Sequence, residues 1–455
     1  MPSILKTPEL LLPAGSLEKM HTAFDFGADA VYAGQPRYSL RARNNEFSTL
    51  DVLQQGISDA HARGKLFFVA SNIFPHNSKL KTYLRDMEPV IAMKPDALIM
   101  ADPGLIMMVR EKWPEVNVHL SVQANAVNFA DVKFWKKMGL TRVILSRELS
   151  LDEIAEIRQE CPDMELEVFV HGALCIAYSG RCLLSGYFNH RDPNQGTCTN
   201  SCRWDYKIEN AAENETGDLA RVEKIQLNFE QALEDANQSF SAMGDMPRHP
   251  LAERPYLIEE AGRPGNFMPI LEDEHGTYIM NSKDLRAIEH VERLAKIGVD
   301  SLKVEGRTKS EYYVARTAQA YRRAIDDAVA GRPFNEQLWG ELNGLANRGY
   351  TDGFYQRHHT QEHQNYMEGV SKAHRSQYVG KVLSVQDGWA QVEVKNRFAV
   401  GDQIEIIHPS GNEIVKLSAL RNKHNEPIEV IGGAGHQVRI PLGSHQDKAL
   451  LARML

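Results

Sequence analysis

The sequence has no long hydrophobic run, little cysteine and no excess of positive charge. It lacks a stretch of about 18 apolar residues, so we expect no transmembrane helix and no membrane partner. Residues 1–12 hold one lysine and no apolar core of the kind a secretory signal requires, so we expect a cytoplasmic protein. The formal net charge of −8 argues against a protein that coats nucleic acid non-specifically, but it leaves room for a local basic patch that holds one RNA.

The N-terminal part alternates short apolar runs with longer amphipathic segments, a pattern typical of parallel strands joined by crossover helices. A further run at Ser301–Val304, followed by a helical pattern over Glu311–Val329, supplies an eighth unit. Eight such units predict an α/β fold, a (β/α)8 barrel. An open doubly wound sheet is the alternative, although no G-x-G-x-x-G follows the first strand. The first seven runs are Leu10–Leu12, Ala30–Ala33, Leu66–Ala70, Ala97–Met100, Val118–Ser121, Val143–Leu145 and Leu166–Val170.

Composition divides the chain into a barrel domain, a connector and a second domain. Residues 1–333 form the predicted barrel domain, interrupted by a cysteine-rich loop at 172–208 and by a polar, variable insertion at 209–265 that we expect to be poor in regular structure. Residues 334–371 are expected to form a helical connector. Residues 372–455 hold short alternating runs separated by Gly, Asn, Asp or Pro, which predicts a small all-β barrel.

Four of the five cysteines lie close together, in the pattern C-x6-C-x15-C-x3-C: Cys175, Cys182, Cys198 and Cys202. In a cytosolic chain such clustering indicates a metal site or catalysis rather than disulfides. Four thiolates suit a 4Fe–4S cluster or a tetrahedral zinc, and buried free thiols are a third alternative. The spacing alone leaves the choice of metal open. Cys161, at the end of a predicted helix, is expected to lie in the core.

The segment from Glu167 to Cys175 reads E-x-F-x-H-G-A-L-C and is followed by Gly180-x-Cys182. This sequence resembles the signature of the collagenase-like, U-type peptidase family. Within that family the chain is most similar to the branch that forms 5-hydroxyuridine at the wobble position of tRNA in a prephenate-dependent reaction. Other stretches that carry the resemblance are Leu12–Gly15, Gly27–Tyr32, Gln35–Arg41, Arg191–Asn200, Asn281–Leu285 and Lys303–Arg307.

The resemblance implies an iron–sulfur enzyme that hydroxylates tRNA without oxygen gas. It implies a 4Fe–4S cluster on the four clustered cysteines, prephenate or a derivative as co-substrate, the tRNA anticodon loop as substrate, and an electron donor as partner. Some relatives carry a cysteine where this chain has Arg286; because Arg286 cannot bind iron, we assign Cys198 and Cys202 together with Cys175 and Cys182. The alternatives are a collagenase-like peptidase, a non-catalytic tRNA-binding accessory protein and a hydroxylase of ribosomal RNA cytidine.

Barrel enzymes react at the C-terminal ends of their strands, which directs attention to the residues that follow each predicted strand. As catalytic candidates we assign His171, Glu167, Lys303 and Glu305, which can move protons. Lys303 lies between apolar residues in a strand and is expected to face the barrel interior, where an ion pair with Glu167 or Glu305 is the structural alternative.

Guanidinium groups that suit the carboxylates of prephenate, or RNA phosphate, cluster near the same predicted face. Surface ion pairs in a solvated loop are the alternative for the basic loop Arg37–Arg43, which, with the C-terminal domain, is also a candidate for tRNA contact. As binding residues we assign Arg37, Arg41, Arg147, Arg181, Arg307 and Gln123.

Overall fold

The computed structural model describes most of the two predicted domains. It covers residues 5–39, 46–173, 283–306, 309–345, 347, 349–356, 376–443 and 446–455, together with the backbone of five strands between 206 and 279.

Eight parallel strands close a barrel in the N-terminal part, as the sequence predicts. The strand β14 (Ser301–Val304) pairs with the first strand on one side and with the seventh on the other, and this double pairing closes the ring. The other seven strands are β1 (Glu9–Pro13), β2 (Ala30–Gly34), β3 (Leu66–Ser71), β4 (Ala97–Met100), β5 (Val118–Leu120), β6 (Arg142–Ile144) and β7 (Glu165–Ala173).

Helices follow the strands and cover the barrel with their apolar faces. Several begin at a side chain that accepts a hydrogen bond from the first turn; Ser150, for example, forms a full capping box with Glu153. None of the helices in the described part of the chain is both long and apolar enough to cross a bilayer. The helices are α1 (Leu17–Asp25), α2 (Leu50–Ala62), α3 (Asn77–Ala92), α4 (Pro103–Lys112), α5 (Phe129–Lys137), α6 (Leu151–Glu160), α7 (Val291–Ile297), α8 (Glu311–Val329) and α9 (Gln337–Asn343).

The chain between β7 and β14 contains more regular structure than the sequence predicts. Five strands form an antiparallel sheet, and two of them lie within the insertion that we expected to be irregular. Three of its four pairings join strands that are consecutive in sequence, and the fourth joins Tyr206 with Glu260; several of the strands carry many polar residues, so a search for apolar runs does not reveal them. Beyond it, β13 (Asp284–Arg286) pairs with the end of β7 and with β15 (Tyr350–Thr351). The five strands are β8 (Tyr206–Glu213), β9 (Leu219–Arg221), β10 (Tyr256–Glu260), β11 (Phe267–Asp273) and β12 (Gly276–Ile279).

The C-terminal domain is all-β, as predicted, and has its own apolar core. It forms a seven-stranded antiparallel sheet and a two-stranded ribbon. Its strands are β16 (Ser376–Gln386), β17 (Trp389–Val394), β18 (Phe398–Ala399), β19 (Gln403–Ile407), β20 (Glu413–Lys416), β21 (Arg421–Asn422), β22 (Val430–Ile431), β23 (Gln437–Pro441) and β24 (Leu450–Met454).

Helix α8 joins the two domains through buried polar contacts. Arg316 donates from Nη2 to Oε2 of Glu405 on β19 at 2.7 Å, and both side chains are largely buried. Near the start of the same helix, Nζ of Lys381 on β16 lies 2.7 Å from Oε1 of Glu311. These contacts fix the second domain on the helix that directly follows the last barrel strand.

Candidate active site in the barrel interior

The interior of the barrel contains an ion pair that is shielded from water. Lys303 on β14 donates from Nζ to Oε1 of Glu167 on β7 at 2.8 Å, and the two side chains are 5% and 0% exposed. Barrel interiors are usually filled by branched apolar side chains, so two charges here are unusual. The sequence predicted that Lys303 faces inward and named Glu167 as its alternative partner; the structure brings the two together.

Arg142, at the start of β6, extends this pair towards the N-terminal end of the barrel. Its Nη1 donates to Oε2 of Glu167 at 3.1 Å and to Oε1 of Glu9 at 2.7 Å, while its Nε donates to Glu165 at 2.9 Å. Acidic and basic side chains therefore alternate in a network of ion pairs that runs from Glu9 through Arg142 and Glu167 to Lys303. Each buried charge has an opposite charge beside it, which is the condition under which such charges are tolerated in a protein interior.

Burial shifts the proton affinities of the interior bases. It lowers the pKa of Lys303, and the neighbouring carboxylate of Glu167 opposes that shift only in part. Burial also drives the pKa of His119 on β5 well below its ordinary value, and the positive charges of Arg142 and Lys303 add to the effect. His119 is consequently neutral near pH 7, and Nδ1 of its ring has no hydrogen-bond partner among the described residues.

Aromatic rings connect the interior pair to the C-terminal mouth of the barrel. The Lys303 Nζ lies 4.4 Å from the ring centroid of Tyr32 and 5.4 Å from that of Phe169. On the mouth side, the Arg147 guanidinium carbon lies 4.0 Å from the Phe169 centroid. The Tyr32 hydroxyl is 3.1 Å from a carboxylate oxygen of Glu305, at the end of β14. Cation–ring contacts of this kind hold the cations in place while leaving their N–H donors directed elsewhere.

Arg147 also reaches the segment that carries the clustered cysteines. Its Nη1 donates to the carbonyl oxygen of Ala173 at 2.9 Å, and Ala173 is the last described residue before residues 174–205. Strand β7 thus leads from the interior ion pair directly towards the cysteine segment. The predicted ligands Cys175, Cys182, Cys198 and Cys202 lie outside the described residues, within which no cluster of His, Cys, Asp or Glu is arranged to hold a metal.

His171 lies apart from the interior pair, because the strand changes register before it. Val304 pairs with His171 although Lys303 pairs with Phe169, so one extra residue of β7 forms a bulge. The His171 ring consequently packs against α8, where its Nδ1 lies 3.3 Å from the Tyr321 hydroxyl. The sequence pattern predicted a place at the mouth; the assigned catalytic role stays a prediction.

Gly172, which follows the bulge, allows two strand ends to approach closely. Its φ is +105°, and a Cβ at this position would lie 2.4 Å from the carbonyl oxygen of Glu305. No side chain larger than hydrogen fits that space. The glycine of the H-G-A-L-C motif therefore has a steric role, because it seats the start of the cysteine segment against the end of β14.

The assigned binding residues other than Arg147 fall into three groups. Gln123 follows β5, and its Oε1 is buried without a hydrogen-bond partner in the part of the chain that the structure describes. Arg37 is half exposed and donates to Oδ2 of Asp86 on α3 at 2.5 Å, so a surface ion pair already neutralises it. The remaining assigned arginines, apart from Arg147, lie outside the described residues: Arg41, Arg181 and Arg307.

The sequence analysis did not identify the charged and imidazole side chains that extend the interior site towards the N-terminal end of the barrel. Arg142 and His119 lie within or next to apolar runs that were recognised as strands, and Glu9 directly precedes the first of these runs. A charged or imidazole side chain inside an otherwise apolar strand is the signal that could have identified them. Cys161, in contrast, is a buried free thiol as expected.

The fold and these contacts define a two-domain protein whose barrel has a charged interior and whose seventh strand leads in sequence to a segment with four cysteines. The model of peptidase family U32 matches residues 15–365, and that of the peptidase family U32 C-terminal domain matches residues 374–453. The chain belongs to peptidase family U32, which confirms the resemblance found in the sequence.

Relatives extend the likeness over nearly the whole chain. The chain is 59% identical to tRNA hydroxylation protein P of Escherichia coli over 96% of its own length and 94% of that protein. It is 57% identical to tRNA hydroxylation protein P of Haemophilus influenzae over 98% of this chain and 96% of the other. A more distant relative is a 23S rRNA 5-hydroxycytidine synthase of Escherichia coli, with 27% identity over 88% of this chain and 52% of that protein.

We expect removal of both members of the interior pair to cost less than the sum of the two single removals. Glu167→Leu and Lys303→Met should each lower the free energy of unfolding by about 3 kcal/mol, because each leaves a buried charge short of a partner. The double variant should recover at least about 1 kcal/mol of the summed loss, since no unpaired charge remains at this pair. Urea unfolding of the three variants measures this.

The matched control for this cycle is the exposed pair Glu292–Lys296 on α7. Lys296→Met should change the free energy of unfolding by less than about 0.5 kcal/mol, because water screens the pair. Single interior variants as stable as this control would contradict the account of the buried pair.

We expect His171 to make the fold sensitive to acid. Burial, reinforced by the charges of Arg286 and Lys309, lowers its pKa to about 3, whereas an unfolded histidine titrates near its ordinary 6.5. Its contribution to stability is thus complete above pH 6.5 and is lost as the pH falls towards 3. Between pH 7.5 and pH 5 the wild type should lose about 2 kcal/mol more than His171→Gln.

Urea unfolding at the two pH values checks this difference, with His76→Gln as the control. His76 is exposed at the start of α3, so its variant makes the same chemical change outside the core. An unchanged pH dependence in His171→Gln would show that the imidazole is not held neutral.

Proposed function

We propose that this chain is a cytoplasmic enzyme that hydroxylates C5 of the wobble uridine of tRNA, forming 5-hydroxyuridine with prephenate or a derivative as co-substrate. The likeness to tRNA hydroxylation proteins over almost the full length of both chains carries the proposal. Support from the structure is the charged interior of the barrel below the point where the cysteine segment begins. A wobble uridine is already unpaired in the anticodon loop, so its entry into a pocket at the mouth costs little.

The chain's own residues suit an anionic co-substrate and proton movement. Lys303 combines a positive charge with a lowered pKa, so it can hold a carboxylate or release a proton near neutral pH more readily than an exposed lysine. Arg147 lies at the mouth with its planar guanidinium held over Phe169, a geometry that suits a carboxylate approaching from solvent. Glu305, beside the Tyr32 hydroxyl, is a carboxylate placed to accept a proton.

The four clustered cysteines are the residues that would hold a 4Fe–4S cluster. A set of four thiolates fits such a cluster by its ligand chemistry, and the cluster would supply electron transfer in the reaction. Arg147 and Gly172 would position the start of the cluster-bearing segment, because Arg147 donates to the carbonyl oxygen of Ala173 and Gly172 lets the end of β7 approach Glu305 closely.

A collagenase-like peptidase is the alternative that the family name suggests. Among the described residues, the free thiol of Cys161 lies 3.7 Å from the carbonyl oxygen of Phe129, and burial raises its pKa, which is the opposite of what an activated nucleophile requires. Release of peptides from denatured collagen by the purified protein, sensitive to Cys175→Ala, would favour that alternative.

Nucleoside mass spectrometry of tRNA tests the proposal. A strain without this gene should lack 5-hydroxyuridine, and the wild-type gene should restore it. Cys175→Ala should fail to restore it, because the proposed cluster would lose a ligand. Cys161→Ala is the matched control: this thiol is buried in the barrel domain outside the clustered four, so its variant should restore the nucleoside.

Two results would contradict the proposal. Unchanged 5-hydroxyuridine in the deletion strain would show that the chain does not form it. Full restoration by Cys175→Ala would separate the reaction from the clustered cysteines. Loss of visible absorbance from anaerobically purified Cys175→Ala, but not from Cys161→Ala, reads out the cluster independently of activity.

A further inference from the structure

Three adjacent strands of the C-terminal domain present an outward face that differs from the rest of its surface. In β17 and β23 every second residue points into the apolar core, and the intervening residues point outward. Strand β23 lies between β17 and β21, so their outward residues form one row. The row consists of Gln391, Arg439 and Arg421, which are direct cross-strand partners.

The two arginines lie opposite one another without a compensating acid. Among the described residues, neither Arg421 nor Arg439 has a carboxylate within ion-pair distance, and Arg439 is exposed. Glu393, on the same face, forms an ion pair with Lys395, with 2.8 Å between Oε1 and Nζ. Like charges directly opposite each other destabilise a sheet, and an anion bound between them would remove the repulsion.

An aromatic ring completes this face. The guanidinium carbon of Arg421 lies 4.2 Å from the ring centroid of Trp389, and its Nη1 donates to Asn425 at 3.2 Å. Trp389 therefore orients the guanidinium plane of Arg421. The face also offers the amides of Gln391 and Gln437, which are hydrogen-bonded to each other at 2.8 Å.

We propose that this face, formed by Trp389, Gln391, Arg421, Gln437 and Arg439, binds the phosphodiester backbone of the RNA substrate. Guanidinium groups bind phosphates by charge and by paired hydrogen bonds, and an indole ring beside them suits an unpaired base. The inference rests on the proposed function for the identity of the RNA. It goes beyond that function by locating an RNA contact on the second domain.

Binding of a fluorescently labelled tRNA transcript to the full-length, cluster-loaded protein tests the inference. Arg421→Glu/Arg439→Glu should raise the Kd at least about tenfold and reduce the slope of log Kd against log salt by about 2, because two phosphate contacts are lost. Arg421→Lys/Arg439→Lys should retain most of the salt dependence, since its charge is unchanged.

Lys137→Glu/Lys416→Glu is the matched control, with the same change of charge at two exposed lysines that have no ion pair among the described residues. Its Kd should stay within about twofold of wild type if binding is local rather than a response to net charge. Equal Kd values for the arginine variant and this control would overturn the inference. Thermal unfolding confirms that the variants are folded.

The outcome is separable from that of the proposed function. If the deletion strain lacks 5-hydroxyuridine and the arginine variant both restores it fully and binds tRNA like the control, only the inference about this face fails. If the deletion strain keeps 5-hydroxyuridine, the proposed function fails, whatever the binding experiment shows.

Discussion

A charge buried in a protein interior requires an opposite charge beside it, and in this barrel that requirement links four strands. Lys303 needs Glu167, Glu167 also accepts from Arg142, and Arg142 in turn binds Glu9. These residues come from β14, β7, β6 and β1. The network of ion pairs therefore forms only if β14 closes the barrel between β7 and β1 in the observed register. The ion pairs therefore depend on the register of β14, because a shift of one residue would turn Lys303 out of the interior.

Strand β7, which carries Glu167, also positions the aromatic contacts and the start of the cysteine segment. Phe169 follows Glu167 on the inward face of β7 and lies between the cations of Lys303 and Arg147. Two residues further on, the bulge and the close approach at Gly172 fix the exit of the chain towards the cysteines. The interior ion pair, the aromatic contacts and the start of the cysteine segment consequently all involve residues of one strand, β7.

Much of this architecture could be predicted from the sequence, because it rests on local patterns. Apolar runs at regular intervals identified all eight barrel strands, and the short alternating runs identified the C-terminal domain. The inward direction of Lys303 followed from its apolar neighbours. What failed depends on contacts between distant segments. The bulge that turns His171 towards α8 is a property of the pairing between β7 and β14, and it leaves no trace in the period of either strand.

The antiparallel sheet of β8–β12 was missed because strands such as β8 and β10 carry many polar residues, and because the pairing of these two strands joins residues as distant as Tyr206 and Glu260. Arg142 illustrates a different limit: its strand was recognised, but the meaning of an arginine at its first position depends on Glu9, more than a hundred residues earlier. Family resemblance, not spacing, selected iron–sulfur over zinc, because four thiolates suit both.

The central claim is that the Glu167–Lys303 pair is part of the reacting site and not only a support for the barrel. The most direct test is the amount of 5-hydroxyuridine in tRNA when Glu167→Leu/Lys303→Met is the sole copy of the protein, at a cellular level of folded protein equal to wild type. We expect the nucleoside to be absent although the variant is folded. Wild-type amounts of 5-hydroxyuridine would contradict the claim and would leave the pair a purely structural role.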